Sequence, residues 1–279
     1  MAESPLMPFL ATITDIVDET GDVKTFQMVF DDPAVMEQFN NKPGQVAQIS
    51  VFGTGEATIS ITSSPTRRGM LEFSVKKVGK LTSALHQLEK GAKVGIRGPY
   101  GNHFPYHEMR GKDLLFIGGG IGLAPLRSLI DFVLDESNRE DYGKVTIIYG
   151  ARSMDDLCFK RDLFERWRGL PNTEVFTTID QAEERWTGHV GFVPSYLEEI
   201  NPAPENKIAI TCGPPVMIKF VLQALEKMGY REEQVITTLE LKMKCGIGKC
   251  GRCNIGHKFV CTEGPVFSLA ELKALPAEY

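Results

Sequence analysis

Four of the six cysteines in this 279-residue chain lie in its last 35 residues, which suggests a metal site. They form the pattern C-x4-C-x2-C-x7-C, made by Cys245, Cys250, Cys253 and Cys261. Four thiolates that begin with C-x4-C-x2-C are the plant-type ligand set of a [2Fe–2S] cluster. Clustered cysteines also indicate a metal site in a reducing compartment rather than a set of disulfides. A structural zinc site is the alternative, although zinc favours a close cysteine pair on each side.

A second candidate site is a glycine-rich turn in the middle of the chain. The apolar segment Leu114–Ile117 predicts a buried strand, and Pro125 suits the first turn of a following helix. The turn between them consists of Gly118, Gly119, Gly120, Ile121 and Gly122. Glycines let the backbone approach a pyrophosphate, which the free N–H groups of a helix N-terminus then bind. The turn departs from G-x-G-x-x-G because Leu123 replaces the third glycine, and such a turn taken alone is weak support for a nucleotide site.

A third candidate directly follows the predicted strand Ile208–Thr211 and consists of Cys212, Gly213 and Pro214. In open α/β sheets, ligands bind beyond the carboxyl ends of the strands. This loop should therefore face the same crevice as the glycine-rich turn. A buried cysteine in an ordinary turn is the alternative.

Two segments near the N-terminus carry hydroxyl groups that could bind an anion. The first consists of Ile59, Ser60, Ile61 and Thr62, and the second of Gly79, Lys80, Leu81, Thr82 and Ser83. The second segment places hydroxyls and free N–H groups at a predicted helix start, which favours an anion. Thr82 is equally an ordinary N-cap, and its spacing alone favours that interpretation.

These sites need elements to position them, and the pattern predicts an antiparallel β-barrel over residues 1–110. Six short alternating or β-branched strands, separated by turn residues, are typical of such a barrel. They are Thr12–Val17, Thr25–Phe30, Val46–Phe52, Thr58–Thr62, Leu71–Val75 and Lys93–Arg97, with one helix at Thr82–Glu89.

From residue 111 to 235, strands alternate with helices, which predicts βαβ units and a parallel sheet. The predicted helices are Pro125–Leu134, Leu157–Trp167 and Pro215–Met228. Residues 236–279 contain the cysteine motif and are expected to form a small C-terminal lobe. The predicted fold class is thus a β-barrel followed by an α/β nucleotide-binding domain and a metal-binding lobe.

Composition excludes several classes of function. With 31 basic and 36 acidic residues the net charge is −5, which argues against general nucleic-acid binding. No apolar run reaches the roughly 18 residues of a membrane-spanning helix. The N-terminus has no basic segment before its apolar residues, so a signal peptide is not expected. A cytoplasmic, soluble protein is the expectation.

The order of these motifs resembles the ferredoxin–NADP reductase superfamily across essentially the whole chain. The motifs that carry the resemblance are Ile59-Ser60, Gly79–Ser83, Arg97–Gly101, Gly118–Pro125 and Cys212–Pro215. With the C-terminal cysteines, the chain is similar to flavin-bearing electron-transfer subunits of anaerobic complexes. These include sulfhydrogenase gamma subunits, the corresponding flavin-bearing component of anaerobic sulfite reductase, flavin partners of heterodisulfide reductase-like enzymes and the electron-transfer subunit of dihydroorotate dehydrogenase. The x7 gap before Cys261 favours the first three, because the last cysteine lies farther away in the fourth.

The resemblance implies FAD in the barrel and a nicotinamide cofactor in the α/β domain. It implies that Ser60 lies by the reactive flavin nitrogen, that Thr82 and Ser83 hold the flavin pyrophosphate, and that Cys212 lies near the nicotinamide. Gly118–Gly122 would hold the pyrophosphate of the nicotinamide cofactor. The family usually has an arginine where this chain has Ala57, so Lys76, Lys77 or Lys80 would balance the phosphates, and FMN remains an alternative to FAD.

Coenzyme preference is open between NAD(H) and NADP(H). The loop Tyr149–Ser153 lacks the acidic residue that holds a free ribose 2′-hydroxyl. Arg152 could accept a 2′-phosphate, but similar loops in the family serve NAD. We favour NAD(H) slightly.

The resemblance predicts an electron-transfer (diaphorase) subunit. A nicotinamide delivers two electrons as hydride, a cluster takes one at a time, and a flavin does both. No second ligand set for a substrate-reducing metal is evident, so the terminal reaction should belong to a partner such as a hydrogenase, a sulfite reductase or a heterodisulfide reductase-like subunit. The alternatives are the dihydroorotate dehydrogenase subunit, a stand-alone oxygenase reductase, and a non-redox scaffold or regulatory protein with a zinc knot.

The cysteine-rich segment is also strongly basic. Between Leu241 and Thr262 there is no Asp or Glu, and the five basic residues are Lys242, Lys244, Lys249, Arg252 and Lys258. They could balance the negative charge of a thiolate cluster. They could also form a docking surface for an acidic partner.

Overall fold

The computed structural model describes residues 4–276, beginning with a six-stranded antiparallel sheet. Its strands are β1 (Phe9–Asp18), β2 (Val23–Phe30), β3 (Val46–Val51), β4 (Gly55–Ser60), β5 (Leu71–Lys76) and β6 (Lys93–Tyr100). They are ordered β4-β3-β6-β1-β2-β5, with helices α1 (Pro33–Gln38) and α2 (Lys80–His86) between strands. Alternate residues of β2, such as Phe26 and Met28, face a closed apolar core. The predicted barrel is confirmed.

The second sheet is the predicted parallel one. Its strands are β7 (Asp113–Gly119), β8 (Val145–Ala151), β9 (Thr173–Ile179), β10 (His189–Val190), β11 (Lys207–Cys212) and β12 (Val235–Thr238). The main helices are α3 (Leu123–Leu134), α4 (Val193–Ile200) and α5 (Pro215–Lys227). The central strands β7 and β8 are almost wholly buried, as parallel strands covered by helices on both faces should be.

The C-terminal segment adds to this sheet rather than standing apart. Its elements are β13 (Asn254–Ile255), β14 (Lys258–Phe259), α6 (Val260–Glu263), β15 (Val266–Ser268) and α7 (Leu269–Lys273). Strand β15 pairs antiparallel with β12, which gives the order β10-β9-β8-β7-β11-β12-β15. The cysteine-rich region therefore leaves the sheet after β12 and returns to its edge at β15.

One predicted helix is wrong. Instead of Leu157–Trp167, the chain is irregular as far as Phe159, where φ is +56°, and a π-helical turn covers Asp162–Arg166. The cause is a contact with the barrel, since the carboxylate of Glu19 accepts the N–H of Phe159 at 2.8 Å. A tertiary hydrogen bond thus overrides the local helical pattern.

The short helices that were not predicted from the sequence include α1 and α4. The first starts at a local signal, because Asp32 accepts a hydrogen bond from the Ala34 N–H and Pro33 opens the helix. Proline also stands in the first turn of α4. Both segments are too short for a clear apolar periodicity.

A buried ionic cluster joins the two sheets. Arg127 of α3 donates to Glu72 of β5 at 2.6 Å and to Asp162 at 2.6 Å. Arg166 then connects Asp162 with Asp131, at 2.8 Å and 2.7 Å. Truncating one member would leave a buried partner unpaired, so this cluster fixes the barrel against the nucleotide domain. Within residues 4–276, no helix has both the length and the apolar character needed to cross a membrane.

Candidate functional site

The glycine-rich turn and the loop after β11 meet as predicted. Gly122 packs so closely on this loop that a Cβ would lie 2.5 Å from the carbonyl oxygen of Cys212 and 2.5 Å from the Cα of Gly213. At Gly119 a Cβ would overlap the sulfur of Met217 and lie 3.2 Å from Pro214. The two loops therefore form one surface at the carboxyl ends of β7 and β11, which we call the nucleotide crevice.

The middle of the turn faces open space. Gly120 has φ +53°, and a Cβ there would meet no atom of residues 4–276 within 4 Å. The Gly120 carbonyl accepts a hydrogen bond from Tyr149 at 3.1 Å, and Gly120 and Ile121 are half-buried. Helix α3 begins immediately afterwards at Leu123. The hydrogen bond from Tyr149 thus fixes the backbone just before α3, while the Cβ side of Gly120 is open to a ligand.

Cys212 lies at the floor of the nucleotide crevice. It is 3% exposed, and Thr238 donates a hydrogen bond to its sulfur at 3.1 Å. Burial raises the pKa of the Cys212 thiol to about 12, so it is protonated at neutral pH. This cysteine can act as a neutral contact for a ring but not as a thiolate nucleophile.

Arg152 lies beyond the end of β8 with its side chain largely exposed. It forms an ion pair with Asp156 at 3.6 Å, and Asp156 also accepts a hydrogen bond from Ser153 at 2.9 Å. The structure therefore brings an acidic residue to this loop that lies beyond the segment Tyr149–Ser153 considered in the sequence. A carboxylate here is the group that would hold a ribose 2′-hydroxyl and repel a 2′-phosphate.

The first hydroxyl-bearing segment follows β4 to the domain interface. Ser60 ends the strand half-buried, and its hydroxyl makes no hydrogen bond with any residue from 4 to 276. Ile59, the preceding residue, is also half-buried. By contrast, Ile61 and Thr62 are fully buried, and the Thr62 hydroxyl accepts the N–H of Ser74 at 3.1 Å. Ser60 is therefore available to a ligand, whereas the side chains of Ile61 and Thr62 support the strand.

Ser63, which follows, contacts the nucleotide domain directly. Its carbonyl accepts a hydrogen bond from Ser128 of α3 at 2.9 Å. Helix α3 starts at the glycine-rich turn, so the end of β4 and the nucleotide crevice are held together across this interface.

At the second segment the two hydroxyls have different roles. Helix α2 has Gly79 as its N-cap, and Thr82 is the third helical residue. The Thr82 hydroxyl accepts the N–H groups of Gly79 at 2.9 Å and Val78 at 3.0 Å and donates to the Gly79 carbonyl. The hydroxyl of Ser83 makes no hydrogen bond with a described residue. The prediction of Thr82 as the N-cap is therefore wrong, because the helix begins two residues earlier with Gly79 at the N-cap. Ser83 is the hydroxyl left for a ligand.

The nearby cations also differ in availability. Lys76 forms an ion pair with Asp22 at 3.3 Å, whereas Lys80 is exposed and forms no ion pair within residues 4–276. Leu81 packs against the barrel core beneath the helix. Lys80 is thus the better placed of the two lysines to meet an added negative charge.

The cysteine motif forms a loop whose N–H groups point at sulfur. The Lys249 N–H donates to Cys245 at 3.3 Å, and the Gly248 N–H donates to Cys261 at 3.2 Å. Gly246, Gly248 and Gly251 all have positive φ, which lets the chain turn tightly here. Burial opposes ionisation of Cys245, yet backbone N–H groups lower the pKa of its thiol, which prepares a thiolate ligand.

The four thiols lie close to one another. Cys250 lies near Cys245, and Cys261 lies near both Cys253 and Cys245. Four neighbouring cysteines that begin with the C-x4-C-x2-C spacing suit a binuclear [2Fe–2S] cluster, in which two irons share four cysteines.

The four cysteines differ in exposure. Cys253 and Cys261 are 1% exposed, whereas Cys250 lies at the surface. Five basic side chains surround Cys250, and none of them forms an ion pair with a residue in the described range. Four of them are exposed, and Lys258 is half-buried. One edge of the cysteine motif therefore reaches solvent through a basic surface, defined by Lys242, Lys244, Lys249, Arg252 and Lys258.

Several contributing residues were missed in the sequence. Thr238 and Met217 line the nucleotide crevice, and Arg97, Glu56 and Asn102 hold the cysteine motif against the barrel. Arg97 belongs to the segment Arg97–Gly101, which carried the family resemblance but no assigned role. Its presence in that segment was the only available signal.

Comparison with protein families accounts for each part of the chain. The family model described as oxidoreductase FAD-binding domain matches residues 11–106, and that described as oxidoreductase NAD-binding domain matches residues 116–223. The model of the iron-sulfur cluster binding domain of dihydroorotate dehydrogenase B matches residues 240–273. FAD, NAD and iron–sulfur binding are thus confirmed as the cofactor set.

Two relatives match along nearly their whole length. Sulfhydrogenase 1 subunit gamma of Pyrococcus furiosus is 40% identical over 280 residues, covering 98% of this chain and 95% of the relative. The second relative is a protein of Methanocaldococcus jannaschii named probable dihydroorotate dehydrogenase B (NAD(+)), electron transfer subunit. It is 32% identical, and the alignment covers 95% of this chain and 91% of the relative.

Solved structures agree on the fold. A chain in the structure of an NADH-dependent reduced ferredoxin-NADP oxidoreductase superposes with a TM-score of 0.75 at 25% identity, covering all of this chain and 95% of the other. A ferredoxin NADP+ reductase from Neisseria gonorrhoeae gives 0.69 at 20% identity, covering 82% and 96%. The chain therefore belongs to the family of FAD-, NAD- and iron–sulfur-binding electron-transfer subunits within the ferredoxin–NADP reductase superfamily.

Proposed function

We propose that this protein is the NAD(P)H-linked electron-transfer (diaphorase) subunit of a multi-subunit redox complex. The observation that carries the proposal is the exposed cysteine edge: Cys250 lies at the surface among unpaired cations in a chain that also has a flavin barrel and a nucleotide crevice. A subunit that only reduced its own substrate would need no such outlet.

The proposed residue roles follow from which polar side chains have no hydrogen-bond or ion-pair partner within residues 4–276. Ser60, with a free hydroxyl, contacts the flavin ring, and Ser83 with Lys80 contacts the flavin pyrophosphate. Thr82 shapes the helix start through its capping hydrogen bonds. Ile59, Ile61, Thr62, Lys76, Gly79 and Leu81 support this cofactor from the barrel. The bound flavin supplies the exchange between a two-electron hydride and single electrons.

In the nucleotide crevice, the roles divide between backbone and thiol. Gly118–Gly122 present the backbone to the cofactor pyrophosphate, with Gly213 and Pro214 as the facing wall. Cys212 is the neutral contact for the nicotinamide ring, held by Thr238. Asp156 beside Arg152 supports NAD(H) over NADP(H).

Cys245, Cys250, Cys253 and Cys261 are the proposed ligands of the [2Fe–2S] cluster. We infer that the partner docks an acidic surface on the basic surface around Cys250. Given the relatives, a hydrogenase subunit is the first candidate, with a sulfite reductase or heterodisulfide reductase-like subunit next, and the complex would work in the cytoplasm. The second candidate function is the electron-transfer subunit of dihydroorotate dehydrogenase, which the match at residues 240–273 favours.

The test distinguishes reduction of the flavin by NADH from electron delivery to the partner through the cluster. The Cys250→Ala variant should retain NADH-dependent reduction of a small flavin-level dye while losing electron delivery to the co-purified partner. The Cys158→Ala variant, which removes a buried thiol of the nucleotide domain, should keep both activities. Partner reduction that survives in Cys250→Ala would show that electrons leave directly from the flavin. Native co-purification also identifies the partner and thereby decides between the two candidate functions.

A further inference from the structure

Arg97 of β6 contacts both the barrel and the cysteine motif. Its guanidinium is 3% exposed and forms a two-point ion pair with Glu56 of β4, at 2.8 Å and 2.9 Å. It also donates to the backbone carbonyls of Lys244 at 2.6 Å and Cys245 at 2.5 Å. The chain separation is 148 residues for the second contact, so this is a purely tertiary connection.

All five N–H donors of this guanidinium are used. The fifth donates to the hydroxyl of Tyr100 at 3.2 Å. Arginine is the side chain that offers five donors in one fixed plane, and lysine offers three from a single point. The site therefore requires arginine, and the hydrogen bonds of Glu56 raise the pKa of Arg97 so that its charge is constant.

The rest of the same segment contacts the other parts of the cluster loop, defined here as residues 244–264. Gly246 lies against Tyr100, where a Cβ would be 2.6 Å from the ring. The side-chain amide of Asn102 donates to the carbonyl of Glu263 at 2.9 Å and to that of Val266 at 2.6 Å. Residues 97–102 thus contact the start and the end of the cluster loop.

The same segment is in register with the flavin side of the barrel. Val46 of β3 pairs with Ser60 on one side and with Tyr100 on the other. Neighbouring strands lie about 4.8 Å apart, so the backbone of Ser60 is roughly 10 Å from that of Tyr100. A rigid sheet therefore connects the flavin contact with the residue under the cluster loop.

We propose that Arg97 is a positioning residue that fixes the cluster loop at a set distance from the flavin, through its five hydrogen bonds to Glu56, Tyr100, Lys244 and Cys245. Within residues 4–276, its hydrogen bonds go to oxygen atoms and none goes to a cysteine sulfur. Its role is to hold the carbonyls that precede and include the first cysteine. The electron-transfer part of this inference rests on the proposed function, whereas the loop-order part does not.

The test compares Arg97→Gln with Lys93→Gln. Lys93 is a cation on the same strand with its own ion pair, to Asp31 at 2.7 Å, but it does not contact the cluster loop. Hydrogen–deuterium exchange of peptides covering 241–250 in the loaded protein should be at least fivefold faster in Arg97→Gln and unchanged in Lys93→Gln. Exchange in β1 and β2 should be the same in both variants.

The midpoint potential of the cluster distinguishes a positioning role of Arg97 from general structural support. Removing the Arg97 cation leaves Glu56 unpaired and should lower the midpoint potential of the cluster, because added negative charge disfavours reduction. Glu56→Gln leaves the cation in excess and should raise that potential. Both variants should accelerate loop exchange, while the flavin potential and NADH-dependent dye reduction stay within twofold of the unmodified protein.

Stopped-flow mixing with NADH completes the test. Cluster reduction should slow at least fivefold in Arg97→Gln and recover only partly in Arg97→Lys. If Arg97→Gln does not fold, Glu56→Gln carries the same exchange prediction and its own potential prediction. Exchange and cluster potential equal to those of Lys93→Gln would overturn the proposal. If NADH fails to reduce the cluster even in the unmodified protein, the proposed function fails, while the exchange result still decides the role of Arg97.

Discussion

In the nucleotide crevice two loops meet backbone to backbone at Gly122, which leaves no space for a Cβ against the carbonyl of Cys212. The cluster loop is held differently, by the side chains of Arg97 and Asn102 donating to its carbonyls. The crevice is thus a product of two neighbouring parallel strands. The cluster loop has little regular structure, so its position depends on its metal ligands and on a few long-range hydrogen bonds.

This difference predicts whether each region stays ordered without its cofactor. The nucleotide crevice should persist without any cofactor, because β7 and β11 pair along six residues. The cluster loop should lose its order when its ligands are disrupted. Four substitutions or sets of substitutions test this contrast, in order of decreasing effect.

The largest effect is expected at the buried cysteines. Cys253→Ala should lose essentially all cluster iron, because three thiolates leave one iron without its full set of ligands. FAD content and NADH binding should be retained. Iron and acid-labile sulfide analysis measures this, and Cys158→Ala should keep its full cluster. A Cys253→Ala protein with its full iron content would remove Cys253 from the ligand set.

The second effect concerns close packing in the crevice. Gly122→Ala should weaken NADH binding by more than tenfold, since its Cβ can be placed only by separating the two loops. Gly120→Ala is the matched control, because it meets no atom and costs only about 1–2 kcal/mol for its left-handed backbone. Titration of both variants with NADH compares them. Equal affinity would show that contact between the loops is not needed for binding.

The third effect separates two adjacent hydroxyls. Ser83→Ala should weaken FAD binding about tenfold, because a hydrogen bond to a charged group contributes about 1.5–3 kcal/mol. Thr82→Ala should instead lower the free energy of unfolding by about 1 kcal/mol through loss of its hydrogen bonds to the N–H groups of Val78 and Gly79. Flavin fluorescence and thermal melts report the two quantities. Flavin affinity unchanged in Ser83→Ala would remove this residue from the cofactor site.

The smallest effect tests the basic surface. Charge reversal at Lys249 and Lys258 should raise the KM for the partner about fivefold at low salt, since exposed ion pairs contribute about 0.2–1 kcal/mol each. Raising ionic strength from 0.1 M to 1 M shortens the screening length from about 10 Å to about 3 Å and should weaken partner reduction likewise. Dye reduction should be nearly salt-independent, and Lys227→Glu should behave as the unmodified protein. Salt-independent partner reduction would favour charge balance of the cluster over docking.

The same contrast between regular strands and long-range side-chain contacts determines how much of each region can be predicted from the sequence. The barrel, the parallel sheet and the approach of Gly118–Gly122 to Cys212 follow from periodicity and from the rule that ligands bind at the carboxyl ends of strands. The helix predicted at Leu157–Trp167 failed because Glu19, more than a hundred residues away, binds the Phe159 N–H.

Other features also depended on tertiary contacts. Thr82 and Ser83 looked alike in sequence, and only their hydrogen bonds separate them. The role of Arg97 could not be predicted because its acceptors in the cluster loop are backbone carbonyls, which every residue possesses.

The central claim is that electrons from a nicotinamide reach a [2Fe–2S] cluster within this chain. The most direct measurement is electron paramagnetic resonance of the anaerobically purified protein, frozen before and after addition of NADH, with its visible spectrum recorded alongside. The account predicts flavin bands with a broad iron–sulfur shoulder, and a reduced-cluster signal that appears with NADH and is absent in Cys253→Ala. Bound zinc in place of iron, or a fully reduced flavin without any cluster signal, would contradict it.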